Sequence, residues 1–300
     1  MRVVSRHRVG VALGCAWAAA AVFAQQTLAD DMRYGLNLDY LYDDNVNRAA
    51  VSSERKPDSA ASVEGYGTRA FPLSEGSGIV VRGAAQVSQY LHFDDLSNLT
   101  LDGRATYRIQ PVPGYTMPWI EIAAGGQWLK FRDSELRDGS ILFASAGVGS
   151  WVTDRIRLAA NAGRDWRRAR EGEVYDGAVT RLWATLDYRL PGTATLYGSL
   201  TRLSGDQVFT ASSATAQTKL GNWASASAPD PVFAGAFGGV APVAYRLQAT
   251  TLLYEAGVNF PLTGMQAIDA SAGYFDAKSA QGGQRYAGAT ARLSYLVRFR

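Results

Sequence analysis

From about residue 33 to residue 300 the chain alternates small or apolar residues with polar ones, in segments separated by tight reversals and by longer polar links. Successive side chains of an extended strand point to opposite faces, so this alternation describes a sheet with one apolar and one polar side. Residues 155–167 show it most clearly. Ile156, Leu158, Ala160 and Ala162 share one face, and Arg155, Arg157, Asn161, Asp165 and Arg167 share the other. A soluble sandwich and a barrel wall both satisfy that pattern, so segment length and the sidedness of the connections must separate them.

Twelve segments fit, at 33–43, 60–72, 78–92, 98–110, 117–131, 140–152, 155–168, 177–190, 193–204, 246–260, 265–276 and 285–299. Each is near or above the ~9–11 residues that a tilted strand needs to cross a bilayer, and an even count suits a bacterial single-chain barrel. Compact reversals at 74–77, 112–115, 153–154, 191–192 and 263–264 alternate with longer polar connections. All the short links therefore fall on one side, the periplasmic side when the N-terminus starts there. The expected fold is an all-β, transmembrane, antiparallel, up-and-down β-barrel of about twelve strands with periplasmic termini. Aromatic residues near segment ends (Tyr40, Tyr42, Tyr90, Trp119, Trp128, Trp151, Trp166, Tyr188, Tyr254, Tyr274 and Phe299) are expected to form its two interfacial girdles.

At the start of the chain, Arg2, Arg6 and Arg8 precede an apolar run over residues 9–23, with small-residue cleavage positions at Val22/Ala24 or Thr27/Ala29. This reads as a secretory signal peptide, giving an organisation of signal 1–29 followed by barrel 30–300. The run is shorter than the ~20 residues a membrane helix requires, and no later run is long enough, which excludes a helical membrane protein. The sequence holds 30 basic and 27 acidic residues, and the signal arginines account for the excess. A formally neutral mature chain offers no argument for nucleic acid. Cys15 lies inside the signal and is the sole cysteine, so the mature chain has neither disulfide nor thiolate metal site. The abundance of Ala, Gly and Tyr, with short Leu/Ile/Val runs, suits a wall packed against lipid better than a two-layer core.

The catalytic inventory is thin. His92 is the sole histidine beyond the signal, and Ser88 and Ser97 near it sit in no recognisable nucleophile motif. One histidine cannot build a multi-histidine metal site. The acidic groups Asp43/Asp44, Asp94/Asp95, Glu171/Glu173 and Asp206/Asp230 lack the spacing of a calcium-binding loop. The expectation is a non-enzyme with no catalytic residue, no metal and no cofactor.

The inward face carries more information. Arg82, Arg104, Arg108, Glu121, Arg155, Arg157, Asp165, Arg181, Asp187, Arg292 and Arg298 are expected to line the lumen, with Arg189, Asp39, Asp102, Glu255 and Asp269 beside them. Two readings compete: a water-filled lumen whose charges act on a passing solute, or an ion-paired plug. In an open pore the arginine excess favours small polar, anionic solutes. The connection at 205–244, with its candidate residues Asp206, Asp230 and Phe233, either folds into the barrel as a constriction, caps it outside or stays mobile.

Several stretches carry a resemblance: Tyr42-Asp43-Asp44-Asn45-Val46-Asn47-Arg48-Ala49, Gly205-Asp206-Gln207-Val208-Phe209-Thr210, Asp230-Pro231-Val232-Phe233 with Ala244-Tyr245-Arg246-Leu247, and the Ser294-Tyr295-Leu296-Val297-Arg298-Phe299 ending. Together they resemble proteobacterial outer-membrane barrels of unassigned function. More distantly, the Asp-Asp-Asn-Val-Asn segment is similar to the barrel domain of surface lipoprotein assembly modifiers, which carry a helical-repeat domain that this chain leaves no room for. The last strand resembles the signal by which such barrels engage the insertion machinery, although Arg300 follows the terminal aromatic Phe299. The resemblance implies the barrel fold, an outer-membrane location and contact with outer-membrane lipid, and says little about biochemistry. The barrel and its inward charges lead to the expectation of a narrow channel or an export or surface-assembly accessory. A non-conducting structural barrel and a lipid-modifying enzyme are the alternatives; the oligomeric state is not readable.

Overall fold

The computed structural model describes residues 32–220 and 223–299, so the expected signal segment lies outside the described residues. The strands are β1 (Met32–Asp43), β2 (Asp58–Ser74), β3 (Ser77–Tyr90), β4 (Asn98–Ile109), β5 (Trp119–Phe131), β6 (Gly139–Trp151), β7 (Ile156–Ala169), β8 (Gly177–Arg189), β9 (Thr195–Ser212), β10 (Ala226–Pro229), β11 (Pro242–Pro261), β12 (Gln266–Ser279) and β13 (Arg285–Phe299). Neighbours pair antiparallel, and β1 bonds both β2 and β13, joining the first strand to the last. Because β9 pairs with β11, twelve strands close the ring and the short β10 stands outside it. Closure satisfies the backbone donors and acceptors that an open edge would leave bare in lipid.

The alternation sets the faces as expected. On β7, Leu158, Ala160, Ala162 and Trp166 lie exposed on the outside while Arg157, Asn161, Asp165 and Arg167 turn inward. The reversals at 75–76, 110–118, 152–155, 190–194 and 262–265 lie at the end of the ring where β1 begins and β13 finishes. The connections at 44–57, 91–97, 132–138, 170–176, 213–241 and 280–284 lie at the other end, and length separates the two sets less cleanly than expected, since 110–118 is longer than 91–97 and 280–284.

Three expectations need correction. Arg155 lies in the β6–β7 reversal, just before the ladder begins at Ile156, with its side chain half exposed. Tyr90, Trp119 and Trp151 are buried rather than part of a girdle, because their strand parity puts them on the inward face. Trp128, Trp166, Tyr40, Tyr42, Tyr254, Tyr274 and Phe299 are exposed on the wall as expected.

The third concerns the long connection. Residues 205–212 and 242–244 are strand, since β9 runs on to Ser212 and β11 starts at Pro242. The β8–β9 ladder ends at Val179↔Gly205, whereas β9–β11 pairing continues to Ser212↔Pro242. Gly205 makes this possible. Its φ of 142° is a conformation that side chains disfavour, and a Cβ there would stand 2.2 Å from the Ala178 carbonyl oxygen. The remaining link holds α1 (Ser213–Leu220), β10 and a 3-10 turn at Pro231–Phe233.

Candidate functional site

The lumen wall is laced by ion pairs between strands. Arg82 on β3 bridges Glu64 on β2 at 2.6 Å and Asp102 on β4 at 3.3 Å. Asn37 extends the chain by donating to Glu64 at 2.8 Å, and Gln127 by donating to Asp102 at 3.3 Å. Arg108 Nε donates to Glu121 at 2.7 Å, Arg181 to Asp165 at 3.0 Å, and Arg157 approaches Asp187 at 3.5 Å. Arg292 on β13 reaches Glu255 on β11 at 2.9 Å, over the small β12 residues Ser271 and Gly273. All of these pairs join strands that are adjacent or next but one, so they run along the wall. Arg104 is inward, opposite Arg82 in the β3–β4 ladder, and Arg298 sits near the short-turn end, its guanidinium 3.4 Å from the Gly264 carbonyl.

Glu64 is the inward residue missing from the expected set. The alternation Ser62, Glu64, Tyr66 marks it, but the glycines at 65 and 67 blur the polar-apolar contrast.

Aromatic rings fill the wall where glycine leaves room. Tyr66 pairs with Gly35, Trp119 with Gly149 and Tyr197 with Gly257 in the ladder. A Cβ on those glycines would stand 2.3, 2.3 and 2.4 Å from the respective rings. Glycine therefore permits each ring to lie flat on the inner surface. Trp119 is flanked by Arg108 and Arg157 at 5.2 and 5.7 Å, within cation-π range. Tyr197 donates to Asp269 at 2.7 Å.

At the long-loop end, β9, β11 and β10 continue as a three-stranded sheet beyond the last pairs of β8 and β12. One face carries Phe209, Ala211, Tyr245 and Leu247, packed on Ala277 and Tyr286; the Phe209 and Tyr286 rings stack with centroids 3.9 Å apart. The other presents Val208, Ala226, Ala228 and Ala244 to Val174, Tyr175 and Leu136, which belong to the connections after β7 and β5. From there the chain crosses to the far side of the ring. Val232 and Phe233 are buried with Ala60, Tyr90 and Leu96, and Phe233 meets Phe93 edge-on at 4.9 Å. The connection thus packs across the mouth, from the β9–β11 extension to the β2–β3 side.

Polar anchors hold this cap. Arg137 donates to both Asp230 oxygens, at 2.8 and 2.5 Å, with side chains 4% and 0% exposed, and Thr210 Oγ1 adds a third bond to Asp230 at 2.7 Å. Burial alone would lower the Arg137 guanidinium, but the Asp230 carboxylate and Tyr175 outweigh it and hold it above its ordinary value. Burial likewise raises the Tyr175 phenol. The Asp-Asp-Asn-Val-Asn segment forms the seam. Asn45 donates to the Ala287 carbonyl at 2.9 Å, and the Thr210 backbone N–H donates to the Asn47 carbonyl at 3.0 Å. Glu54 accepts from Ser212 and Thr215 at 2.5 and 2.6 Å.

Asp206 is engaged by the Ala178 N–H at 3.1 Å and by Gln248 at 2.6 Å. Asp43 holds Arg48. Among the described residues no group of three or more His, Cys, Asp or Glu gathers as for a metal. His92 Nδ1 lies 3.1 Å from Asp58, whose carboxylate also takes the His92 and Phe93 N–H groups. Ser97 Oγ accepts the Tyr90 N–H, and Ser88 faces the lumen.

No protein-family description matches the sequence. No curated protein matches it either. Among solved structures, the chain is similar to the COG4313 outer membrane channel from Pseudomonas putida F1, with a TM-score of 0.57 at 10% identity over 89% of this chain and 95% of that one. It is also similar to the KdgM porin in complex with disordered oligogalacturonate (TM-score 0.48, 9% identity, 89% and 99% covered) and to the NanC porin (0.48, 10%, 87% and 98%). The first of these supports the fold, that of an outer-membrane β-barrel.

Proposed function

We propose that this protein is a narrow outer-membrane channel for small polar, anionic solutes, with the short reversals and strand termini in the periplasm and the capped mouth outside. The observation that carries this reading is the direction of the lumen ion pairs. Pairs that run along the wall orient guanidinium groups toward a bore, whereas a plug would pair charges across it. Arg82 and Arg108 keep side-chain exposures of 25% and 28% despite their partners. Glu64 joins the inward set and Arg155 leaves it, which brings inward charge close to balance. Anion preference then comes from the reach of long arginines past short aspartates, and from guanidinium charge that persists at any working pH.

The connection across the mouth favours a second reading, a sealed structural barrel. Planar-bilayer recordings of the refolded protein separate the two. The channel reading expects small, anion-preferring unitary currents, and a cation preference would remove the anionic-solute part. Silence both in the full chain and after removal of the mouth connection would leave only the sealed barrel.

A further inference from the structure

On the outer wall, Arg164, Trp166, Arg168 and, just past the strand end, Arg170 point away from the lumen in succession along β7. The lumen network makes no use of them. The register sets Trp128 of β5, Ser140 of β6 and Arg168 of β7 side by side. Ser140, the outward β6 residue here, adds so little bulk that the wall sinks between Trp128 of β5 and Arg168 of β7, leaving a shallow depression of about 290 Å³. Trp128, Lys130, Asp138, Ser140, Arg168 and Arg170 line it.

The charge of this depression is positive. Asp138 is its one lining carboxylate, and it is already spent, bonded to Lys130 and accepting the Phe131 N–H at 2.7 Å. Neither Arg168 nor Arg170 has an ion-pair partner among the described residues. The acidic side chains of the adjoining connections, Asp133, Glu135, Glu171 and Glu173, lie beyond the strand ends and do not line it. Depth is marked by Trp128 and Trp166, each 46% exposed on the lipid side, since tryptophan settles at the membrane interface. An outward arginine is unfavourable against hydrocarbon, and at interface depth it turns to an anionic headgroup.

We propose that this depression binds a phosphate group of an outer-leaflet glycolipid, with Arg168 and Arg170 as paired guanidinium donors and Trp128 packed on the lipid. A guanidinium fork matches phosphate geometry, and the arginines are close enough in sequence and register to grip one group together. The proposal rests on the outward orientation of the long-loop end given above.

The test uses the folded full barrel in detergent and purified lipid A, with its dephosphorylated form and inorganic phosphate as controls, read by native mass spectrometry. Lipid A is expected to stay bound to the parent protein, and to bind about tenfold or more weakly to the R168Q/R170Q double variant. Equal retention by parent and double variant overturns the site. So does equal retention of dephosphorylated lipid, or displacement by millimolar inorganic phosphate as readily as by lipid. Heat-modifiable gel migration and unitary conductance, measured on the same samples, report the barrel and channel independently of the lipid.

Discussion

At the scale of single residues, two charge pairs do different work. The Arg137–Asp230 pair is fully withdrawn from water, so Asp230→Ala would strand a buried guanidinium, at a cost on the order of 3–5 kcal/mol. The expected result is a released mouth cap, seen as larger unitary currents and as faster protease cleavage within 213–241. A paired Arg137→Met/Asp230→Leu variant should restore much of the closure, because it removes both charges together. An unchanged current in Asp230→Ala would show that this pair does not hold the cap. Arg82 sits on the lumen wall with a quarter of its side chain exposed, and Arg82→Gln frees Glu64 and Asp102 to face the bore of the proposed channel. Reversal potentials in a salt gradient should then shift toward cation preference, with little change in folding.

At the scale of elements, the inner wall depends on ladder pairs of glycine with an aromatic ring. In Gly257→Val the new side chain would meet the Tyr197 ring, lifting it from the wall and breaking its bond to Asp269. Overpacking of this kind costs about 1–3 kcal/mol. We expect a lower urea midpoint for unfolding from lipid vesicles together with a smaller unitary conductance, since the displaced ring can only move into the bore. The strands themselves were legible because period-two alternation needs nothing beyond local geometry. Their ends were less so. Arg155 shares a face with Arg157 by parity, yet the ladder stops at Ile156. Gly205 reads as the start of a loop, yet it lets β9 part from β8 while keeping β11.

At the scale of the whole molecule, closure of the ring brings the first and last strands together and gathers the connections after the odd-numbered strands of the first nine at one mouth. Replacing residues 213–241 with a short turn should keep heat-modifiable migration, because the ring pairs of β9 and β11 persist below that point, and should raise the unitary conductance. Unchanged currents would show that the narrowest passage lies elsewhere in the lumen. The sequence by itself determined the barrel, its even strand count and the face that most of the charges take. All of these follow from alternation and connection length, which one strand and its nearest neighbours express. Only the tertiary structure decided what crosses the mouth and which charges meet. Phe209, Tyr245 and Tyr286, or Arg137 and Asp230, are separated by long stretches of chain, and they come together only because the ring closes and a folded sheet crosses it.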